Sequence, residues 1–465
     1  MKNFKKKLFD NYFLTSRNNN NTYRFINNFC FNYEKKKYFK NINLKEFEIL
    51  DKIDIRFIFY IFKLFLFGTF FFKDKISKIE YNNIHIGRYL ISSTYRSSKS
   101  YSSIFYFYYE LLKNVYRSSK IFYSIKFYSK NFQIRSFYLE HCYYLNGIIY
   151  DYFYKRKIRI YSNHYPHNIF LIKPKTKYKN YSEYLKIPYF NKKLLNSSNT
   201  IKNVNKIFNN FTKHNPYMDE TKYLRANKNF FNNIKKFDYI IYPHSFTDAQ
   251  LIYGYDGFSN SYDWLDFTLK ELNKTNKKVL IKSHPNFYLK SHPIFEWDRK
   301  IYKKIIDKYS FNKNFLFVQI PIKNSDIKKF VRKDAVIITR YGTVEIEMSF
   351  YNFKIISSKK SFFSEKYKIS NKWNNKNEYE ISLHKDWKDL RFSNKNDTLN
   401  VCNKLYFNCR YFEKNFYLNI LKSKMIKNKQ ISKYDKYNEI MEKFNKILNP
   451  SILKMKLALD IEEFN

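Results

Sequence analysis

The residues able to do chemistry gather in three short motifs. Ile281-Lys282-Ser283-His284-Pro285-Asn286 sets an imidazole close to a cation, and the following proline restricts the backbone at His284. Such an imidazole donates an N–H to a phosphate or acts as an acid or base, although a lone histidine is commonly structural. Pro243-His244-Ser245-Phe246-Thr247-Asp248 carries an imidazole, two hydroxyls and a carboxylate on one loop. Asp248 has the chemistry of a general base, a metal ligand or a helix cap, and the sequence leaves the three open. In the third motif, Thr339-Arg340-Tyr341-Gly342-Thr343-Val344-Glu345-Ile346-Glu347, a glycine permits a tight turn and a helix is expected at or near Thr343. Free backbone N–H groups there, with the Thr339 and Thr343 hydroxyls, would hold an anion. Arg340 suits a phosphate, and Glu345 or Glu347 suits ribose hydroxyls. An ordinary capped helix with acids in its first turn is the plain alternative.

Each motif follows a short apolar run. Tyr239-Ile240-Ile241-Tyr242, Val279-Leu280-Ile281-Lys282 and Ala335-Val336-Ile337-Ile338 lead into the three loops. Phe315-Leu316-Phe317-Val318 and Phe353-Lys354-Ile355-Ile356 complete the series. Runs of this length, bounded by breakers and separated by helical patterns, predict buried parallel strands in βαβ units. In open α/β sheets, ligands bind outside the carboxyl ends of the strands, where these motifs fall. Three of the six glycines (Gly254, Gly257, Gly342) lie in the same stretch, as expected where scarce glycines are kept for special turns. Tyr262-Asp263-Trp264-Leu265 reads as a helix start, with Leu265, Leu269 and Leu272 turned inward.

Elsewhere the signals are weaker. Residues 1–50 form a basic lead-in, and Met1–Asn20 has no apolar core of a signal peptide. Phe57–Phe72 is the most apolar stretch, too short for a span, and reads first as a buried helix and second as an interfacial membrane helix. Ile86-Gly87-Arg88 reads as a plain turn or as a ligand-facing strand-to-helix turn, and 101–160 as aromatic helices alternating with strands. We expect an N-terminal α/β unit over 51–200, a connection over 201–235, a Rossmann-like unit over 236–385 and a helical region over 386–465. Leu405, Phe412, Phe416 and Ile420 carry the helical spacing of that last region.

Against 40 acidic residues stand 87 Lys and Arg, a net charge of +47 that favours anionic partners. The lysines are spread along the chain and no nucleic-acid motif appears, so nucleic acid is not the expected partner. An anionic membrane surface, or an anionic sugar-nucleotide or polymer substrate, fits the diffuse field, and a solvated surface of biased composition is the first reading for most of the charge. The four cysteines have no zinc or disulfide spacing, and a reducing cytoplasm is the expected compartment.

In order and spacing the motifs resemble the capsule polysaccharide biosynthesis family, which includes Kdo transferase-like proteins. The resemblance runs from Tyr242 to Ser364, through His244–Ala249, Tyr262-Asp263-Trp264, Leu280–Asn286 and Gly342-Thr343 with Glu347. Its His-Pro and Gly-Thr turns are also similar to those of CDP-glycerol transferases and bacterial sialyltransferases. The resemblance implies a GT-B fold, two Rossmann-like domains facing a cleft, with the nucleotide on the C-terminal one. It implies donor contacts from Lys282, His284, Pro285, Thr339, Arg340, Gly342, Thr343 and Glu347, and catalysis by Asp248 with His244. Glu140 is a second candidate base. Ser283 stands where the family more often has proline. The implied partners are a CMP- or CDP-linked sugar donor and a glycan or glycolipid acceptor, with no bound metal and peripheral contact with the inner membrane face. A non-catalytic polysaccharide-binding or export-accessory protein and a glycerophosphotransferase are the alternatives.

Overall fold

The computed structural model describes residues 7–8, 11–14, 44–46, 49–134, 136–139, 144–163, 169–172 and, with short gaps, 237–402. Pro285, Glu140, the connection expected at 201–235 and the helical spacing from Leu405 onward lie outside them.

In the N-terminal part, β1 (Lys7–Leu8) is followed by β2 (Asn11–Leu14), β3 (Leu44–Glu46), and helices α1 (Ile55–Leu66), α2 (Lys73–Ser77), α3 (Ile86–Tyr95) and α4 (Ile104–Asn131). Then come β4 (Phe132–Gln133), β5 (Ser136–Leu139), α5 (Asn146–Lys155), β6 (Arg159–Asn163) and β7 (Ile169–Ile172). A five-stranded sheet has the order β3-β2-β5-β6-β7, parallel except for the last pair, and β1 pairs separately with β4.

Residues 104–131, expected to alternate with strands, form one helix of 28 residues. Its aromatics favour strands locally, but Leu111, Val115, Phe122 and Ile125 make one inward stripe at helical spacing, and the stripe wins. The Ser103 side chain caps its start. Helix α1 departs from the buried-helix expectation, since Phe57 and Ile61 are buried and most of its other large apolar side chains are not. Gly87 belongs to the first turn of α3, where a Cβ would come 1.7 Å from the Ile76 carbonyl oxygen. That glycine allows α3 to pack on α2. Arg88, next to it, is buried and bonded to Asp151 at 2.7 Å, with the Tyr89 hydroxyl joining both.

The C-terminal part is a six-stranded, all-parallel sheet. In chain order it contains β8 (Tyr239–Tyr242), α6 (Ser261–Leu272), β9 (Val279–Lys282), α7 (Pro293–Tyr309), β10 (Phe315–Val318), β11 (Val336–Thr339), α8 (Val344–Phe350), β12 (Lys354–Ser358), β13 (Asn371–Trp373), α9 (Lys376–His384) and α10 (Lys395–Cys402). The order across the sheet is β10-β9-β8-β11-β12-β13. The chain steps outward from β8 to β10, crosses back to β11, and continues to the far edge. Alternate residues feed two cores. Ile240, Leu280 and Ile337 pack with Ile346 and Met348, while Ile241, Ile281 and Ile338 pack with Trp264, Leu265, Leu269 and Ile305. Apolar layers on both faces explain why these strands read as unbroken hydrophobic runs. Asn260 caps α6, accepting the Asp263 N–H at 2.8 Å, so Asp263 is a first-turn acid.

Candidate functional site

The strand order reverses between β8 and β11, and the crevice outside such a switch point is the usual ligand site of an open parallel sheet. The loops leaving β8, β9 and β11 there carry the three chemical motifs. His244 follows β8 and His284 follows β9, and their ring centroids lie 5.8 Å apart. Tyr341, after β11, meets His244 edge to face at 5.0 Å. Gly342 takes a φ of 137°, a backbone that side chains resist, and turns the chain into α8 beside His244.

The two imidazoles are neutral near pH 7. Burial lowers the pKa of His244, partly offset by Asp248 and the Ser245 carbonyl. Burial, with His244 and Lys282 nearby, holds His284 down at about 3. His244 Nδ1 donates to the Ser245 carbonyl at 3.0 Å, which fixes the neutral tautomer with its lone pair on Nε2.

The loop under His244 is held by a carboxylate that the sequence did not flag. Asp298 of α7 accepts from the Phe246 N–H at 3.1 Å, the Thr247 N–H and hydroxyl at 3.0 Å each, and the Ser245 hydroxyl. Burial pushes its pKa up to about 7, against the pull of the Ser245 and Thr247 donors. Gln250 completes the brace, donating to the carbonyls of Ser245 and Asp248 and accepting from the Ser261 N–H and hydroxyl. Mid-helix Asp298 carries no local signature, because its partners lie about fifty residues away in sequence.

Arg340, expected as a phosphate contact, is fully buried in the scaffold instead. Its Nε and one terminal nitrogen grip the two oxygens of Asp256 at 3.0 and 2.8 Å, and the same nitrogen donates to the Phe258 carbonyl at 2.7 Å. A guanidinium desolvated to this extent needs a carboxylate, and Asp256 supplies it.

Lys282 and Glu347 form a separate group on one face of the sheet. Lys282 Nζ donates to Asn324 Oδ1 at 2.9 Å, and Asn324 Nδ2 donates to Glu347 at 2.6 Å. Burial lowers Lys282 to about 8 and raises Glu347 to about 7, each opposed by attraction to the other. The fold thus penalises the charged forms of both. Lys282 also stands 5.1 Å from the Tyr242 ring, and Thr339 is paired with Tyr242 in the sheet register. The buried Thr339 hydroxyl has no hydrogen-bond partner among the described residues. Thr343 immediately precedes α8, and its side chain makes no capping bond.

Asp248 is exposed and faces the N-terminal part, where the Tyr144 hydroxyl donates to it at 2.5 Å. The Arg96 guanidinium lies 4.3 Å from the Tyr144 ring centroid. The Tyr101 hydroxyl donates to the Phe246 carbonyl of the same loop. Among the described residues, no group of three or more His, Cys, Asp and Glu is arranged to hold a metal ion.

No protein-family model and no curated protein matches the chain. Two solved structures are similar to it at a low level. A beta Kdo 2,4 transferase of Thermosulfurimonas dismutans is 7% identical, with 58% of this chain and 81% of that one covered and a TM-score of 0.32. A UDP-GlcNAc 2-epimerase of Methanocaldococcus jannaschii, solved with UDP-GlcNAc and UDP, is 12% identical, with 86% and 99% covered and a TM-score of 0.28. Neither overlap is close enough to assign a fold or an activity to this chain.

Proposed function

We propose that the protein is a glycosyltransferase that binds a nucleotide-activated sugar at the carboxyl edge of the six-stranded sheet. The observation that carries this reading is the convergence of His244, His284 and the Tyr341-Gly342 turn where the strand order reverses. A diphosphate or phosphodiester there would take N–H donation from neutral His284, and its negative charge would be favoured by Lys282 behind it. The sugar, and a cytidine nucleotide in particular, rest on the resemblance of the His-Pro and Gly-Thr motifs to the capsule family. Pro285 belongs to that motif in sequence alone.

In transfer, the acceptor hydroxyl attacks the anomeric carbon as the bond from that carbon to the phosphate oxygen breaks. The electron pair leaves with the phosphate, and the hydroxyl proton passes to the Asp248 carboxylate. His244 Nε2, with its lone pair, is the neighbouring acceptor for a proton. Thr343 and the backbone N–H groups after Gly342 are further donors for the leaving phosphate.

The test is calorimetric titration of CMP, CDP, UDP and GDP into the wild type and His284→Ala. A hydrogen bond to a charged phosphate contributes ~1.5–3 kcal/mol, so the variant should bind about 10- to 100-fold more weakly. Cytidine-selective binding supports the full reading. Preference for UDP or GDP keeps the transferase and changes the donor. Binding without transfer in Asp248→Asn and wild type alike favours the accessory-protein reading, and no binding by any nucleotide overturns the site.

A further inference from the structure

Helix α1 is buried on one side and apolar on the other as well. Phe57 and Ile61 pack inward, whereas Phe59 is 68% exposed, Leu66 69% and Phe67 73%. Helix α4 runs antiparallel beside it. The Asp54 N–H at the start of α1 donates to the Ser119 carbonyl, and the Tyr108 hydroxyl donates to the Phe70 carbonyl beyond its end. The exposed end of α1 therefore meets the start of α4, where Phe105 is 84% exposed. The two helices thus carry exposed aromatic and aliphatic side chains at adjoining ends, a grouping that singly scattered exposed residues do not make.

Cations are interleaved with those rings. Lys63 Nζ stands 5.9 Å from the Phe67 centroid and Lys75 4.4 Å from Phe72, while Lys113, 5.2 Å from Tyr109, is paired with Glu110 at 2.9 Å. This mixture selects between partners. The cores of protein–protein interfaces are depleted in lysine, because a buried ammonium must be desolvated. A bilayer interface accepts the same mixture, with rings at headgroup depth and lysine stems lying along apolar surface while their ammonium groups reach lipid phosphates. The 12 residues of α1 fall short of the ~20 that a span needs. Among the described residues, no helix is long and apolar enough to cross a membrane.

We propose that this face of α1 and α4 docks in the interface of an anionic lipid bilayer, lying in its plane. The net charge of +47 draws the chain to such a surface, and the exposed phenylalanines hold it there. This inference is independent of nucleotide binding at the six-stranded sheet.

The test is flotation of the full chain with phosphatidylcholine vesicles and with vesicles that also contain phosphatidylglycerol. The wild type should float with the anionic vesicles, less with the neutral ones, and less as salt is raised. The triple variant Phe59→Ser, Phe67→Ser, Phe105→Ser should lose at least ~tenfold in partitioning, since each removed ring was available for insertion. Lys63→Glu with Lys75→Glu keeps the rings and should abolish the preference for anionic vesicles. Thermal unfolding of both variants checks that the fold is retained. The proposal is overturned if the wild type does not float, or if both variants float like it. It is equally overturned if the wild type self-associates through this face, the triple variant is monomeric, and neither binds lipid.

Discussion

At Asp298 a single buried carboxylate gathers two backbone N–H groups and two hydroxyls from the loop that carries His244. Replacing it with alanine leaves those donors facing an apolar interior, at a cost of about 3 kcal/mol in urea unfolding. Nucleotide affinity should fall with it, because His244 loses its support. The pH dependence has a definite sign. With a folded pKa raised from 3.8 to about 7, the contribution of Asp298 is complete at pH below about 4 and is lost as pH rises through about 7. Wild type should therefore lose stability relative to Asp298→Asn between those limits. A gain in wild-type stability relative to Asp298→Asn as pH rises would mean that the four donors outweigh desolvation. The sequence showed His244 and His284, each two residues beyond a recognisable strand, Lys282 at the end of β9, and Glu347 in the helix after the Gly342 turn. It did not show Asp298, Gln250 or the Asp256 partner of Arg340, whose roles come from contacts across tens of residues.

Among the elements, strands β8 to β12 were legible as apolar runs, since a strand covered on both faces leaves no polar alternation to confuse. Strand β13, Asn371–Trp373, was not legible, because three residues with two polar side chains carry no such run. It forms because β12 offers an unpaired edge. The turns between elements depend on glycines in two different ways. At Gly257, φ is 102° and a Cβ would come 2.5 Å from the Lys376 nitrogen at the start of α9. At Gly342, φ is 137° but the nearest atom to a Cβ is 3.9 Å away. Gly257→Ala should thus cost about 3 kcal/mol or more through strain and clash together, measured by thermal unfolding. Gly342→Ala should cost only the strain, about 1–2 kcal/mol, while weakening nucleotide binding by shifting the turn beside His244.

Across the molecule, two hydroxyls of the N-terminal part, from residues just before α4 and α5, bond to the loop that carries His244. Tyr101 donates to the Phe246 carbonyl and Tyr144 to Asp248, with the Tyr101 ring also 6.3 Å from that of Tyr262. Tyr101→Phe and Tyr144→Phe should each lower stability by about 1 kcal/mol. Combined, they should split calorimetric unfolding into two transitions, one for the N-terminal part and one for the six-stranded sheet with its helices. A single transition with the two losses added would assign the coupling to ring packing instead. The arrangement also brings Asp248 to the Tyr144 hydroxyl, with Arg96 over the Tyr144 ring, a juxtaposition that no local pattern contains.

The sequence by itself determined the strands, their parallel sense and the location of the chemical residues at strand ends, because these follow from short-range hydrophobic patterning. It also exposed the apolar stretch at Phe57–Phe72, but not which side of its helix the core would use. Tertiary structure decided that Arg340 turns inward to Asp256, that Asp298 braces the His244 loop and that Lys282 meets Glu347 through Asn324. Those outcomes depend on which segments the sheet order brings together. Burial, once it occurs, forces each charge to find a partner or give up its charge, and neither event is written in any window of consecutive residues.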